Sequence, residues 1–381
     1  MRIVYMTIYL LALAIATIGG LLMKSAFQKK YGLYYNTLMA IIAILISGLR
    51  HFTVGHDTLQ FYRGFLLLGS RPWSALATTT NYEWGYKIIN RLLYTISSDP
   101  QILLFVTSTF IVIAFTVFIY RYSDGYILSW VIYLTWLFPN NENLLRQSLA
   151  VSVLLFGIPL LKRKEKWKYL LVVAFATLFH RSAIFALLGW FLVRLKNRMM
   201  AITICIATTL LGIVLIQTPL IPASIRYSNY FSHADYGVSD FFGNLFKLLI
   251  AVATLLFSYI CLRKDLRIER LAQRESNRKQ MTWNKIEEPI RILSNGSLLT
   301  INVVWIIIGI LAININIFDR LFLYFDYFML ILLPRACFRL SKRNRLLVVP
   351  LIIALFIIMF ILAVHYTNYA GVVPHRFFWQ E

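Results

Sequence analysis

Apolar runs long enough to cross a bilayer recur from one end of this chain to the other, and they decide its class. A transmembrane helix needs roughly 20 apolar residues to cover about 30 Å of hydrocarbon. Such runs fall roughly at residues 3–23, 34–49, 101–120, 126–139, 144–161, 168–179, 183–194, 200–218, 244–262, 297–314, 318–334 and 346–366, bounded by breakers and charges. They lack the alternation of barrel strands, and in lipid only helices and closed barrels satisfy the backbone. The expected fold class is all-α: a polytopic integral membrane helical bundle of about twelve transmembrane helices, forming one membrane domain. Composition agrees, with only 14% charged residues where a soluble domain has about 25%. The first run is longer than a signal-peptide core and lacks a clear small-residue cleavage site, so it reads as an uncleaved span.

The net charge of +22 does not point to nucleic acid. The basic residues sit in short clusters between apolar runs, which is the pattern of cytoplasmic loops, and anionic lipid favours them there. Placing Lys24–Lys30, Arg121, Lys162–Lys168, Arg194–Arg198, Arg263–Arg291 and Arg335–Arg345 inside puts about 26 of the 38 Lys and Arg on the cytoplasmic side. Both termini then fall outside. Residues 50–100 become an outer loop with interfacial helices, and residues 263–296 a basic cytoplasmic loop. The parity depends on residues 167–193, where "HRS" (His180–Ser182) interrupts the run. Two short arms meeting at that triplet preserve the charge rule, and one long crossing reverses everything downstream. Cys205, Cys261 and Cys337 show no metal spacing and are expected to pack as small hydrophobes.

With that parity, five polar segments far apart in the chain gather on the outer side. Ionisable groups in or near spans are costly and mark function. The first, "SGLRHFTVGHDTLQFYRGF", holds Arg50, Asp57 and Tyr62, with Gly55 as a turn and Leu59, Phe61 and Phe65 on an interfacial helix. Trp73 and Trp84 suit the headgroup level. "NYEWGY" supplies Glu83, one of few outer carboxylates, and "NNENLLRQS" supplies Arg146 and Gln147 at a helix start. His180, Arg181 and Ser182 form the sharpest local signal, and Asp319 and Arg320 open the last segment. Asp319 and Asp326 are seven apart and would share a helical face.

Arginine forks match phosphate oxygens in bidentate fashion, and a helix N-terminus adds a favourable dipole. A base for a sugar hydroxyl would be Asp57, Glu83, Asp319 or His180, and the sequence does not choose among them. Each residue also has a plainer use. Arg50 can snorkel, Asp57 can cap a helix, Arg146 can anchor at the interface, His180 can pack in a core, and Asp319–Arg320 can be an intrahelical pair. The tail "VVPHRFFWQE" would cover the site or anchor the last helix. Walker, HExxH, GxSxG and DxD-like motifs are missing from the sequence, as is Cys/His metal spacing. This favours an activated donor other than a nucleotide sugar.

These segments, read together, resemble the EpsG family of bacterial exopolysaccharide proteins, a branch of the Wzy-type polysaccharide polymerases. The carriers are "LRHFTVGHDTLQFYRGF", "EWGYKIIN", "NENLLRQSLAVSV", "LFHRSAIFALL", "DRLFLYF" followed by "LLP", and "VVPHRFFW". His56 and His375 depart from the residues expected there. The resemblance implies a GT-C-like, multi-pass enzyme of the bacterial inner membrane. It would join undecaprenyl-pyrophosphate-linked repeat units into O-antigen, capsule or exopolysaccharide at the outer face. The donor and acceptor lipids and the bilayer would be its partners, and a chain-length regulator is the protein partner such a system admits. Arg50, Arg146, Arg181 and Arg320 would bind the diphosphate. His180, Asp57 and Glu83 would be the catalytic set, with Gln147, Ser182, Asp319 and Tyr62 in support, and neither metal nor cofactor is expected. A flippase for the same lipid, a ligase and a non-catalytic scaffold are the rival readings.

Overall fold

The computed structural model describes residues 6–22, 29–163, 165–194, 203, 238–278, 293–314 and 316–380. These residues are helical, and their one strand-like feature is an isolated antiparallel bridge between Arg50 and Phe377. Five helices are long and apolar enough to cross a membrane: Tyr31–Gly48, Gln101–Tyr122, Gly243–Glu269, Asn295–Ile313 and Lys342–Thr367. They mark the chain as a membrane protein of the all-α class. Two shorter apolar helices, Thr7–Leu22 and Leu145–Leu161, add to them. The remaining expected runs are shorter or broken, and the run at 200–218 and Cys205 lie outside the described residues.

The chain divides into two compact units. The first comprises Met1–Leu160, Glu165–Ile184 and Ser341–Glu381. Its helices are α1 (Thr7–Leu22), α2 (Lys29–Gly48), α3 (Thr58–Ser70), α4 (Trp84–Ile96) and α5 (Gln101–Tyr122). Then come α6 (residues 126–143), α7 (Leu145–Arg163) and α8 (Lys166–Thr177).

Helix α6 is the centre of this unit. It starts as an α-helix, Tyr126–Ile132, widens into a π turn at Tyr133–Leu137 and closes as Phe138–Asn143. Every residue from Leu128 to Pro139 is buried, as expected of a helix that is apolar all round. A π turn inserts an extra residue and turns the following side chains to a new face, often at a functional site. Here it carries Asn141 and Glu142 into the interior. Two buried polar groups beside it are paired, as a low-dielectric interior favours. The Trp130 indole donates to Asn36 Oδ1 at 2.8 Å, and the Tyr35 hydroxyl donates to the Ala16 carbonyl at 2.7 Å.

The expected interfacial helix is α3. Its buried positions, Thr58, Phe61, Gly64, Phe65, Leu68 and Gly69, follow the 3.6-residue period of an amphipathic helix. Its glycines allow close packing on α4 and the segment before it: Gly69 lies under the Tyr94 ring of α4, and Gly64 lies against Tyr82 just ahead of that helix. Trp73 and Trp84 are exposed. After α8 the helix stops at Thr177, and a 3₁₀ segment, Arg181–Ala186, begins inside the His180–Ser182 triplet. The run at 167–193 is therefore interrupted where its polar residues fall.

The second unit comprises Leu161–Lys164 and Phe185–Leu340. It holds α9 (Leu187–Arg194), the 41-residue α10 (Val238–Arg278), α11 (Asn295–Asn314) and α12 (Met329–Phe338). The polar stretch from residue 263, expected as a loop or a short amphipathic helix, continues α10 as far as Arg278, and residues 279–292 lie outside the description. Residues Asn316–Tyr324 and Asp326–Phe328 are 3₁₀ rather than α. A 3₁₀ helix eclipses residues three apart, and the chain turns at Phe325, so the seven-residue spacing of Asp319 and Asp326 does not define one α-helical face. Cys337 is buried and Cys261 half-buried, and neither is in a disulfide. The last helix, α13 (Lys342–Thr367), belongs to the first unit and packs on α6.

Candidate functional site

The site in the first unit is built around one carboxylate. Glu83 occupies the position before α4, where an acidic residue would be expected to cap the helix. Its side chain makes no cap bond. Instead Oε2 pairs with Arg146 Nη1 at 2.7 Å. Oε1 accepts from the backbone N–H of Arg181 at 3.3 Å and faces His180 Nδ1 at 3.5 Å. The Arg146 guanidinium also lies over the Tyr82 ring, 4.6 Å from its centroid. Three segments far apart in sequence thus converge on Glu83: the α4 entry, the start of α7, and the turn after α8.

The backbone fixes this convergence. Gly85 N–H donates to the Leu178 carbonyl at 2.8 Å, which pins the turn carrying His180 to the first turn of α4. A Cβ on residue 85 would sit 2.8 Å from that same oxygen and 2.9 Å from Leu178 Cβ. Only glycine permits the approach. The side chains of Glu83 and His180 are 9% and 15% exposed, whereas Arg146 is 23% exposed and Arg181 is on the surface.

Burial alone would raise the Glu83 pKa. His180 and Arg146 outweigh it and bring it down to about 2. Glu83 is therefore a fixed negative charge near neutral pH. A carboxylate held that low is a poor proton acceptor, but its Oε1 faces the His180 ring and can orient it. With Nδ1 turned towards Glu83, Nε2 is the nitrogen left to take up a proton.

A second polar cluster lies beside the first. Arg50 is 0% exposed. Its guanidinium donates to the Ser47 carbonyl and hydroxyl, to Ser108 Oγ at 3.1 Å and to the Glu142 carbonyl at 3.0 Å. Arg50 is thus a strut between α2, α5 and α6, and it is not presented to a ligand as the sequence suggested. The Glu142 carboxylate accepts from the Tyr9 hydroxyl at 2.8 Å, and that hydroxyl is 3.1 Å from His375 Nδ1. Burial pushes the Glu142 carboxyl up to about 7, against the pull of Arg50.

The C-terminal tail is tied into this region. His51 N–H donates to the Arg376 carbonyl at 2.8 Å, Phe378 N–H to the Leu49 carbonyl at 2.9 Å, and Gly55 N–H to the Gly371 carbonyl at 2.8 Å. Gly55 has φ +94°, which only glycine adopts without strain.

A family comparison carries the matter further. Residues 33–377 match the model of the EpsG family. The chain belongs to the EpsG family. No curated protein and no solved structure matches it.

Of the residues singled out in this EpsG-family chain, Glu83, Arg146, His180 and Arg181 are brought together. Asp57 is half-buried at the entry of α3, makes no side-chain cap bond, and its N–H donates to Asn143 Oδ1 at 2.9 Å, which ties it to the end of α6. Tyr62 is half-buried and its ring packs on Phe52. Gln147 is buried at the start of α7, and Ser182 is half-buried beside Arg181. Asp319 and Arg320 belong to the second unit, and the Asp319 side chain lies outside the description.

Sequence reasoning did not single out Tyr82, Lys87 or Glu142. Tyr82 and Lys87 stand inside "NYEWGYK", beside the glutamate that was chosen. Lys87 is buried, donates to the Ala77 carbonyl at 3.0 Å and sits 5.3 Å from the Trp84 ring centroid. The available signal was the helical spacing of Glu83 and Lys87, four apart at the head of an amphipathic helix.

Proposed function

We propose that this EpsG-family protein polymerises lipid-linked oligosaccharide repeat units into O-antigen, capsule or exopolysaccharide. The reaction is glycosyl transfer from an undecaprenyl-diphosphate-linked donor to the non-reducing end of an acceptor unit. It takes place at the outer face of the bacterial inner membrane, in a bundle of about twelve crossings with a GT-C-like arrangement. Membership of the family and the apolar helices support the coarse role. The observation that carries the chemistry is the junction of Glu83 with Arg146, His180 and the Arg181 backbone.

In this reading His180 Nε2 takes the proton of the acceptor hydroxyl as its oxygen attacks the anomeric carbon. The bond from that carbon to the diphosphate breaks, and undecaprenyl diphosphate leaves with the electron pair. Glu83 stabilises the imidazolium that forms, a division of labour in which the carboxylate orients and the imidazole moves the proton. Arg146 and Arg181 hold the diphosphate and meet the charge that builds on it. A low-dielectric setting strengthens both effects. Guanidinium groups supply the neutralising charge, so the reaction runs without a metal, and EDTA should leave the rate of purified protein unchanged. A chain-length regulator would act on this polymerase from outside the site.

The test is a gel of surface polysaccharide from a deletion strain. Loss of this protein should replace the ladder with capped single repeat units. A complete absence of surface repeats would point to a flippase, and polymer retained on carrier lipid to a ligase. Either pattern would overturn the proposal.

A further inference from the structure

Helix α4 packs one mixed face within the first unit and leaves an apolar stripe uncovered on the other. Tyr86, Lys87, Asn90 and Leu93 are buried within the first unit. On the other side Trp84, Ile88, Leu92 and Ile96 are 52%, 41%, 49% and 74% exposed. They are each four apart, so they line one side of the helix for roughly 18 Å. A helix facing water would carry polar residues at such positions. An exposed apolar stripe of this kind marks a surface covered by lipid, a ligand or another protein, and the charge at its end decides among them.

The stripe is apolar along its length and cationic at its head. Glu83 immediately precedes Trp84 and holds Arg146. The Leu178 carbonyl bonded to Gly85 is three residues from the exposed Arg181. Lys87 lies by the Trp84 ring and is close enough to Arg181 to feel its charge. The arrangement complements an amphiphile with a polyanionic head and a long hydrocarbon tail.

We propose that Trp84, Ile88, Leu92 and Ile96 form the track for the polyisoprenoid tail of a lipid diphosphate whose head sits at Arg146 and Arg181. This rests on the polymerase reading and adds the part of the donor that reading leaves unplaced. The tail lies along α4, and its direction brings the reacting diphosphate next to His180. Tail length then contributes to donor affinity through contact with the stripe, at about 25 cal/mol per Å² of apolar surface covered.

The experiment uses purified full-length protein and a polyprenyl diphosphate bearing a diazirine in its isoprenoid tail. Crosslinks mapped by mass spectrometry should fall on residues 84–96. Undecaprenyl diphosphate should compete them away, and phosphatidylglycerol should not. Leu92→Asn with Ile96→Asn should cut labelling about tenfold and raise the KM of a long-tailed donor by a similar factor, leaving a short-tailed donor unaffected. Labelling elsewhere, or equal competition by phosphatidylglycerol, would make the stripe ordinary bilayer contact and overturn the proposal. The wild-type mapping needs no variant to fold. Labelling of α4 by a protein that transfers no sugar would instead sink the polymerase reading, with the track standing.

Discussion

Glu83 has three partners and no role in capping its own helix. Its neutral replacement therefore tests the site at the scale of one residue. Glu83→Gln keeps the shape and removes the charge that holds Arg146 and faces His180. The expected outcome is a loss of polymer ladder with protein still in the membrane, read by gel and immunoblot. His180→Ala should lower transfer by about 100-fold or more, the usual worth of a positioned general base. Glu142 gives a second residue-scale test, in stability. Its folded pKa is raised to about 7 from an ordinary value near 4.5. A raised carboxyl contributes its full stability below the unfolded value and loses it as pH rises through the folded one. The detergent-solubilised protein should melt lower at pH 8 than at pH 5 on this account, and Glu142→Gln should remove much of that difference.

The same residues show what a linear reading can and cannot supply. Glu83, Arg146, His180 and Arg181 stood out because charge at the end of an apolar run is costly. Their joining could not be read, because residues 83, 146 and 180 meet only through tertiary packing. Arg50 looked like a phosphate ligand for the same reason they did. Its burial follows from Ser47, Ser108 and the end of α6 closing over it, which no local pattern announces. Glu142 was passed over because, within "NNENLLRQS", Arg146 and Gln147 at the helix start carried the reading. The π turn at Tyr133–Leu137 and the helix beyond it carry that glutamate inward.

At the scale of elements, the site depends on how α4 meets the turn after α8. Gly85→Ala would drive a methyl into the Leu178 backbone. Overpacking of this kind costs about 1–3 kcal/mol. It should also move His180 away from Glu83, so activity should fall further than stability. Gly243→Ala is the control, since nothing lies within 4 Å of the added carbon and alanine favours a helix over glycine by about 1 kcal/mol. Thermal scans alongside transfer assays separate the two. Amphipathic α3 and the break at His180 were legible because period and polar interruption are local signals. The 3₁₀ geometry of Asn316–Tyr324 was not, because an apolar aromatic run gives no sign of its helical pitch.

For the whole molecule, the bilayer is the constraint that made the class readable. A span must be long and apolar, and five described helices meet that demand. The count is less legible, because buried helices such as α6 are shielded by neighbours and can be short or bent. Sidedness rests on the distribution of Lys and Arg. It predicts that a cysteine placed at Ser182 in intact cells reacts with an impermeant thiol reagent from outside. The measurement that tests the central claim most directly is the joining of two lipid-linked repeat units by purified protein. Wild type should form the dimer of repeats and release undecaprenyl diphosphate, with Glu83→Gln and His180→Ala folded but nearly inactive. Full activity in either folded variant would contradict the account.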